Sequence, residues 1–183
     1  MNIQYELMPI DLDTRVNPDL KIIEGYGKIQ RYLDEDKYED IGYITISIIN
    51  IHQLSGSDRI MAFDYSGDSL SIYEHLEKYL EPDNFEIEGL IGGTLMILNE
   101  LYVNENYRNK GVGTQVLKEI IEWCRIVGIG CMFLDASAYK AEKENKLKES
   151  KRLRKFYKKY GFLDFAKDTE NQSYIMYYDF TRA

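Results

Sequence analysis

Two apolar runs, "EGLIGGTLMILNELYV" (88–103) and "GCMFLDAS" (130–137), bracket one amphipathic helix pattern, and this order constrains the fold more than any other feature. Continuous apolar runs of this kind read as strands buried on both faces. Between them, Val116, Leu117, Ile120, Ile121, Cys124 and Val127 recur on one helical face, and Gly128 and Gly130 close the pattern. A second helical stripe, Leu153, Phe156, Tyr157 and Tyr160, ends at Gly161, and "FLDFAK" and "SYIMYYDF" (173–180) read as the last strands with "DTENQ" as their turn. Strand, helix, strand, helix, strand implies a partly parallel sheet with helices packed on it, an α/β (α+β) architecture.

The first half is less regular. "LKIIEGYGKIQRYL" (20–33) and "IGYITISIINIHQL" (41–54) read as strands joined through an acidic turn at 34–40, and "RIMAFD" as a short added strand. "GDSLSIYEHLEKYL" (67–80) has helical spacing, with Pro82 after it to stop the helix.

The loop between the first apolar run and its helix carries the chemistry. It reads Arg108-Asn109-Lys110-Gly111-Val112-Gly113-Thr114, cationic where a helix dipole is already positive and lacking the usual Ser, Thr, Asp or Asn cap. A helix N-terminus offers unpaired N–H groups, and glycines let a phosphate approach them. An anionic ligand would complete such a site; a glycine turn with solvated charges is the plainer alternative. The chain has 183 residues, 44% apolar, which suits one globular domain, 1–183. No run reaches the ~18 apolar residues of a membrane span, and the N-terminal stretch has no signal-peptide pattern. Cys124 and Cys131 have no metal spacing and read as buried reduced thiols of a cytoplasmic protein. Net charge is −8, yet 140–159 alone carries +7, leaving −15 on the remainder. The acidic body argues against nucleic-acid binding and toward a cationic substrate. His52 and His75 are isolated and read as ordinary histidines.

Four signals in order ("LNELYV", "YRNKGVG", "CMFLDAS" and "SKRLRKFYKKYGF") resemble the GNAT superfamily of acyl-coenzyme A N-acyltransferases. Arg108, Gly111 and Gly113 match that family's pyrophosphate signature, and "FYKKYGF" matches its later Tyr…Gly-Phe motif. The resemblance covers roughly 90–165, an acetyl-CoA-binding core, with 1–89 as a divergent acceptor-side half. It implies a central mixed, mostly antiparallel sheet with a splayed parallel pair, flanked by helices. It also implies acetyl-CoA as co-substrate without a metal, a small-molecule or protein amine as acceptor, and a monomer or homodimer. The chain departs from the family in placing two strand-like segments before its only early helix. It also carries a longer insertion at 138–149, and Ser150 where relatives have an Asn toward the cofactor.

Acyl transfer to an amine needs a neutral amine, a donor for the oxyanion and a proton for the leaving thiolate. An amine of pKa ~10.4 lies ~3 units, about 4 kcal/mol, from neutral at pH 7. Glu100, polar in an apolar strand beside the loop, is the candidate base, with Asn99 able to position a water; Glu100 facing solvent is the alternative. The resemblance assigns the oxyanion donor to the Val103 N–H, the pantetheine lining to Leu101 and Tyr102, and the leaving-group acid to Tyr157. The helical stripe permits a purely packing role for Tyr157 as well. A non-catalytic acyl-CoA sensor and an RNA-directed acetylating toxin are the competing classes; pI 4.9 argues against the second.

Overall fold

The computed structural model describes residues 6–34, 37–64, 69–79, 90, 93–138 and 142–182. Seven strands form one sheet: β1 Leu12–Asn17, β2 Ile22–Asp34, β3 Lys37–Asn50, β4 Thr94–Val103, β5 Cys131–Asp135, β6 Leu163–Asp168 and β7 Ser173–Asp179. Their order is β1-β2-β3-β4-β5-β7-β6. Every neighbouring pair is antiparallel except β4 and β5. Helices α1 Gly56–Asp64 and α2 Leu70–Leu76 follow β3, α3 Val112–Val127 crosses from β4 to β5, and α4 Lys143–Lys158 crosses from β5 to β6.

Alternation along β4 divides the core. Met96 and Leu98 join Val116, Leu117, Ile120 and Tyr157 in one cluster, with α3 and α4. Leu95 and Ile97 join Phe63, Ile72 and Leu76 in the other, with α1 and α2. Side chains one residue apart on a strand leave by opposite faces, so each sheet face carries its own core.

Several expectations are corrected. Residues 59–64 lie in α1, not in a strand: the Arg59 N–H donates to the Ser55 carbonyl, the Ser55 hydroxyl donates to Asp58, and Ala62 and Phe63 turn inward. The chain therefore has two early helices. The acidic turn is shorter than 34–40, because β3 begins at Lys37. Cross-strand ion pairs, Arg31–Glu39 at 2.7 Å and Lys28–Asp40 at 2.8 Å, let its charges join the ladder; residues 35–36 lie outside the described residues. The 41–54 strand stops at Asn50 and continues as a 3-10 turn. The 88–103 strand starts only at Thr94, after Gly93 at φ +74°, and the polar insertion from 143 onward is already the first turns of α4. Residues 139–141 of that insertion, the ends of the 67–80 helix and the Pro82 stop lie outside the described residues. Edge strand β1 had no legible pattern, since four of its six residues are exposed.

Candidate active site

The site begins where β4 leaves β5. Their parallel ladder runs only from Leu95↔Cys131 to Leu98↔Leu134, while β4 stays paired to β3 as far as Gly42↔Val103. A register shift opposite Thr45/Ile46 inserts Asn99 as an extra residue, and such a bulge bends its strand. The bulge also turns two consecutive polar side chains toward the α2 face. Asn99 Nδ2 donates to Ser47 Oγ at 2.8 Å and its Oδ1 accepts from Ser69 Oγ at 3.4 Å. Glu100 accepts the Tyr43 hydroxyl at 2.8 Å. That hydrogen bond, then burial, pushes the Tyr43 phenol up to about 12, so it remains a donor. Leu101 and Val103 pack on the opposite face with Val112. A Cβ at Gly42 would run into the Tyr102 carbonyl, so only glycine lets β3 follow the bent end of β4.

The loop from Asn104 to Gly111 is anchored at both sides. Its Asn104 N–H donates to the Ile41 carbonyl at 2.8 Å. The Tyr107 hydroxyl lies 2.8 and 2.9 Å from the two Glu39 carboxylate oxygens, and Arg31 grips the same carboxylate. Both contacts hold Glu39 below the usual carboxylate range, the Tyr107 hydrogen bond most. Arg108 Nε donates to the Val103 carbonyl at 2.9 Å, and its guanidinium lies over the Tyr102 ring. Gly111, at φ +88°, turns the chain into α3, and no side chain caps that end. Among the described residues nothing accepts from the N–H groups of Val112, Gly113 or Thr114; the first helical bond is Gln115 N–H to Gly111. A Cβ on Gly113 would sit 3.9 Å from Phe156 and 4.0 Å from Leu101, so the backbone lies bare between those side chains.

Helix α4 closes the other side. Arg152 Nη2 donates to Asn109 Oδ1 on the loop, and the Tyr160 and Thr114 hydroxyls share a 2.9 Å hydrogen bond. Tyr157 is 8% exposed, its ring against Phe156 and Phe162. Burial, with the charge of Asp135 adding, pushes its phenol up to about 12. No described group bonds its hydroxyl.

The structure thus gathers Arg108, Asn109, Lys110, Gly111, Val112, Gly113 and Thr114 at one helix mouth, beside Leu101 and Val103. Lys110 lies 5.7 Å from the Tyr107 ring centroid. Glu100 and Tyr102 stand on the other sheet face; Tyr102 packs on Tyr43, ring centroids 5.2 Å apart, which separates its side chain from Leu101. Ser150, expected toward the cofactor, is fully buried and accepts the Ala138 N–H at 3.3 Å, tying α4 to the end of β5. Tyr43, Glu39, Tyr107 and Arg152 were not foreseen. Their roles arise from contacts between distant segments, and only the basic run around Arg152 left a signal. No three His, Cys, Asp or Glu cluster in metal-binding fashion among the described residues. No helix among them is long and apolar enough to cross a membrane.

Residues 79–163 match the family model described as an acetyltransferase (GNAT) domain. No curated protein matches the chain. Among solved structures, a domain from Methanocaldococcus jannaschii aligns at 11% identity and TM-score 0.47, over 85% of this chain and 66% of that one. The PaiA N-acetyltransferase of Thermoplasma acidophilum, in complex with coenzyme A, aligns at 15% and 0.44, over 86% and 61%. An acetyltransferase from Bacillus cereus aligns at 14% and 0.45, over 88% and 76%. The chain covers less than two thirds of the first two. The family match spans the β4–α3–β5–α4 core, so residues 79–163 form a GNAT acetyltransferase domain, built on a sheet with one parallel pair that is otherwise antiparallel.

Proposed function

We propose that the chain transfers an acetyl group directly from acetyl-CoA to a primary amine of a small molecule or protein. The observation that carries this reading is the uncapped mouth of α3, with Gly111 at φ +88°, beside the gap where β4 leaves β5. Three N–H groups that are unengaged among the described residues, and a bare Gly113, suit a pyrophosphate. The co-substrate supplies an activated acyl group on a thioester. The Val103 N–H, at the end of β4, donates to the oxygen that gains charge as the amine adds. Glu100, directly or through water held by Asn99, takes the proton that frees the amine. Tyr157, its hydroxyl unengaged among the described residues, donates toward the departing sulfur.

Thiol release measured with acetyl-CoA against amines and peptides tests the reading, with release dependent on an amine expected. Gly111→Val should weaken calorimetric acetyl-CoA affinity at least tenfold. A β-branched residue is strained at that φ, and its side chain blocks the close approach of phosphate. Unchanged affinity in the folded variant would refute the phosphate site.

A further inference from the structure

The sheet ends in two edge strands, β1 and β6, and they are built differently. An open edge offers its backbone N–H and C=O groups to any other strand, and proteins blunt such edges with bulges, lysines or prolines. β6 follows that rule. A register shift falls between Asp164 and Ala166, Lys167 sits on the strand, and Asp164 is held by Arg154 and Lys158. β1 has none of these devices. Its residues pair with β2 in unbroken register from Leu12↔Gly27 to Asn17↔Ile22, and its other side meets no strand among the described residues.

The side chains of β1 complement a second copy of themselves. Asp13, Thr14, Arg15 and Val16 are all exposed. Arg15 stands opposite Glu24 in the ladder yet makes no ion pair among the described residues, and Asp13 stands opposite Tyr26. Residues opposed across antiparallel strands leave by the same sheet face. A twofold axis that pairs β1 with itself therefore passes through a residue, never between two. With the axis at Thr14, Asp13 meets the partner's Arg15, and Arg15 meets the partner's Asp13. Leu12, which packs on the core cluster beside α3, then meets the partner's Val16, and Val16 is 63% exposed in the single chain. An axis at Asp13 or at Arg15 would set like charges face to face, which is destabilising.

We infer that the chain forms a homodimer by antiparallel pairing of β1 with β1 of a second copy, centred on Thr14, which joins the two sheets into one. Charge selects the register, and the Leu12–Val16 contacts carry the core across the axis. The pairing ends at Asn17, whose Oδ1 accepts the Leu20 N–H at 3.2 Å as the chain turns toward β2. One strand pair is a small interface, so the dimer is weak, with a Kd of about 10–100 μM expected. The loop at 108–114 follows β4, three strands from this edge. Dimerisation therefore leaves acetyl-CoA affinity unchanged, whether or not the chain transfers an acetyl group.

Sedimentation equilibrium of the full chain, over concentrations spanning that Kd, should show a monomer–dimer equilibrium that weakens with added salt. D13R or R15D alone sets like charges across the axis, so each variant should dimerise at least tenfold more weakly. An equimolar mixture of the two variants sets opposite charges across the axis at both positions, and should restore the dimer at wild-type affinity or better. Amide exchange in β1 of the wild type should slow as concentration rises, a measurement that needs no variant to fold. Four results overturn the inference: a wild type monomeric throughout, β1 exchange that is equal in monomer and dimer, a dimer that neither variant weakens, or a mixture that stays monomeric. A monomeric chain that still releases thiol with acetyl-CoA and an amine would leave the transfer reading standing.

Discussion

Replacing Tyr157 with Phe tests what its hydroxyl does. The ring packs between Phe156 and Phe162, and Phe preserves those contacts. No described group bonds the hydroxyl, so its removal orphans no partner and stability should change by less than about 1 kcal/mol. The phenol, pushed up to about 12 by burial, is fully protonated at neutral pH. Against a thiol of ordinary pKa near 8.5, complete proton transfer would be uphill by ~3.5 units, about 5 kcal/mol. The useful interaction is therefore a hydrogen bond to charge growing on sulfur, worth about 1.5–3 kcal/mol. Tyr157→Phe should accordingly lower kcat roughly 10- to 150-fold with KM for acetyl-CoA little moved. Steady-state kinetics with a saturating amine reads this directly. Below about pH 11 the two pH–rate profiles should run parallel, since the phenol does not titrate there. The folded phenol keeps its proton where an unfolded one loses it, so wild-type stability falls as pH rises from about 10 through about 12. The variant should lack that loss. A kcat within twofold of wild type would refute the leaving-group role, and a variant that fails to fold would assign Tyr157 to packing.

Arg152 lies on α4 and is bonded to Asn109 of the loop, and the proposed co-substrate carries a 3′-phosphate that this basic helix is expected to meet. The wild type should bind coenzyme A more tightly than its dephospho form, less so as salt rises. Arg152→Ala should remove that preference; equal calorimetric affinity of the wild type for both forms would leave Arg152 as solvated surface. Asp164 accepts from Arg154 and Lys158, and chiefly the Arg154 hydrogen bonds hold its carboxyl at about 2, below its ordinary 3.8. A depressed folded pKa contributes stability above pH ~4 that is lost as pH falls toward 2. The pair is about a third exposed, so screening reduces the contribution to about 1 kcal/mol. Asp164→Asn should flatten chemical-denaturation stability between pH 4 and 2, and an unchanged slope would refute the assignment.

What the sequence determined by itself was local. A glycine that must adopt positive φ, an apolar stripe at helical period and a cationic turn act within a few residues, so α3 and the loop at 108–114 were legible. So were β4 with Glu100, and α4 with Tyr157 on its stripe. The parallel pair followed too, since one helix between two buried strands leaves few other connections. Tertiary structure decided everything that depends on register. The bulge at Asn99 exists only as a mismatch between β3 and β4, and it alone turns Glu100 toward Tyr43. Residues 37–40 became strand because Lys28 and Arg31 lie across from Asp40 and Glu39, and β1 formed because β2 offered it a ladder. Residues 59–64 became helix where the first turn found Ser55 and the core found Phe63. Ser150 accepts the Ala138 N–H at the end of β5 for the same reason. Each outcome turns on partners far apart in the chain, whose pairing depends on strand register and on the faces two cores bury, and neither is encoded in any single stretch of residues.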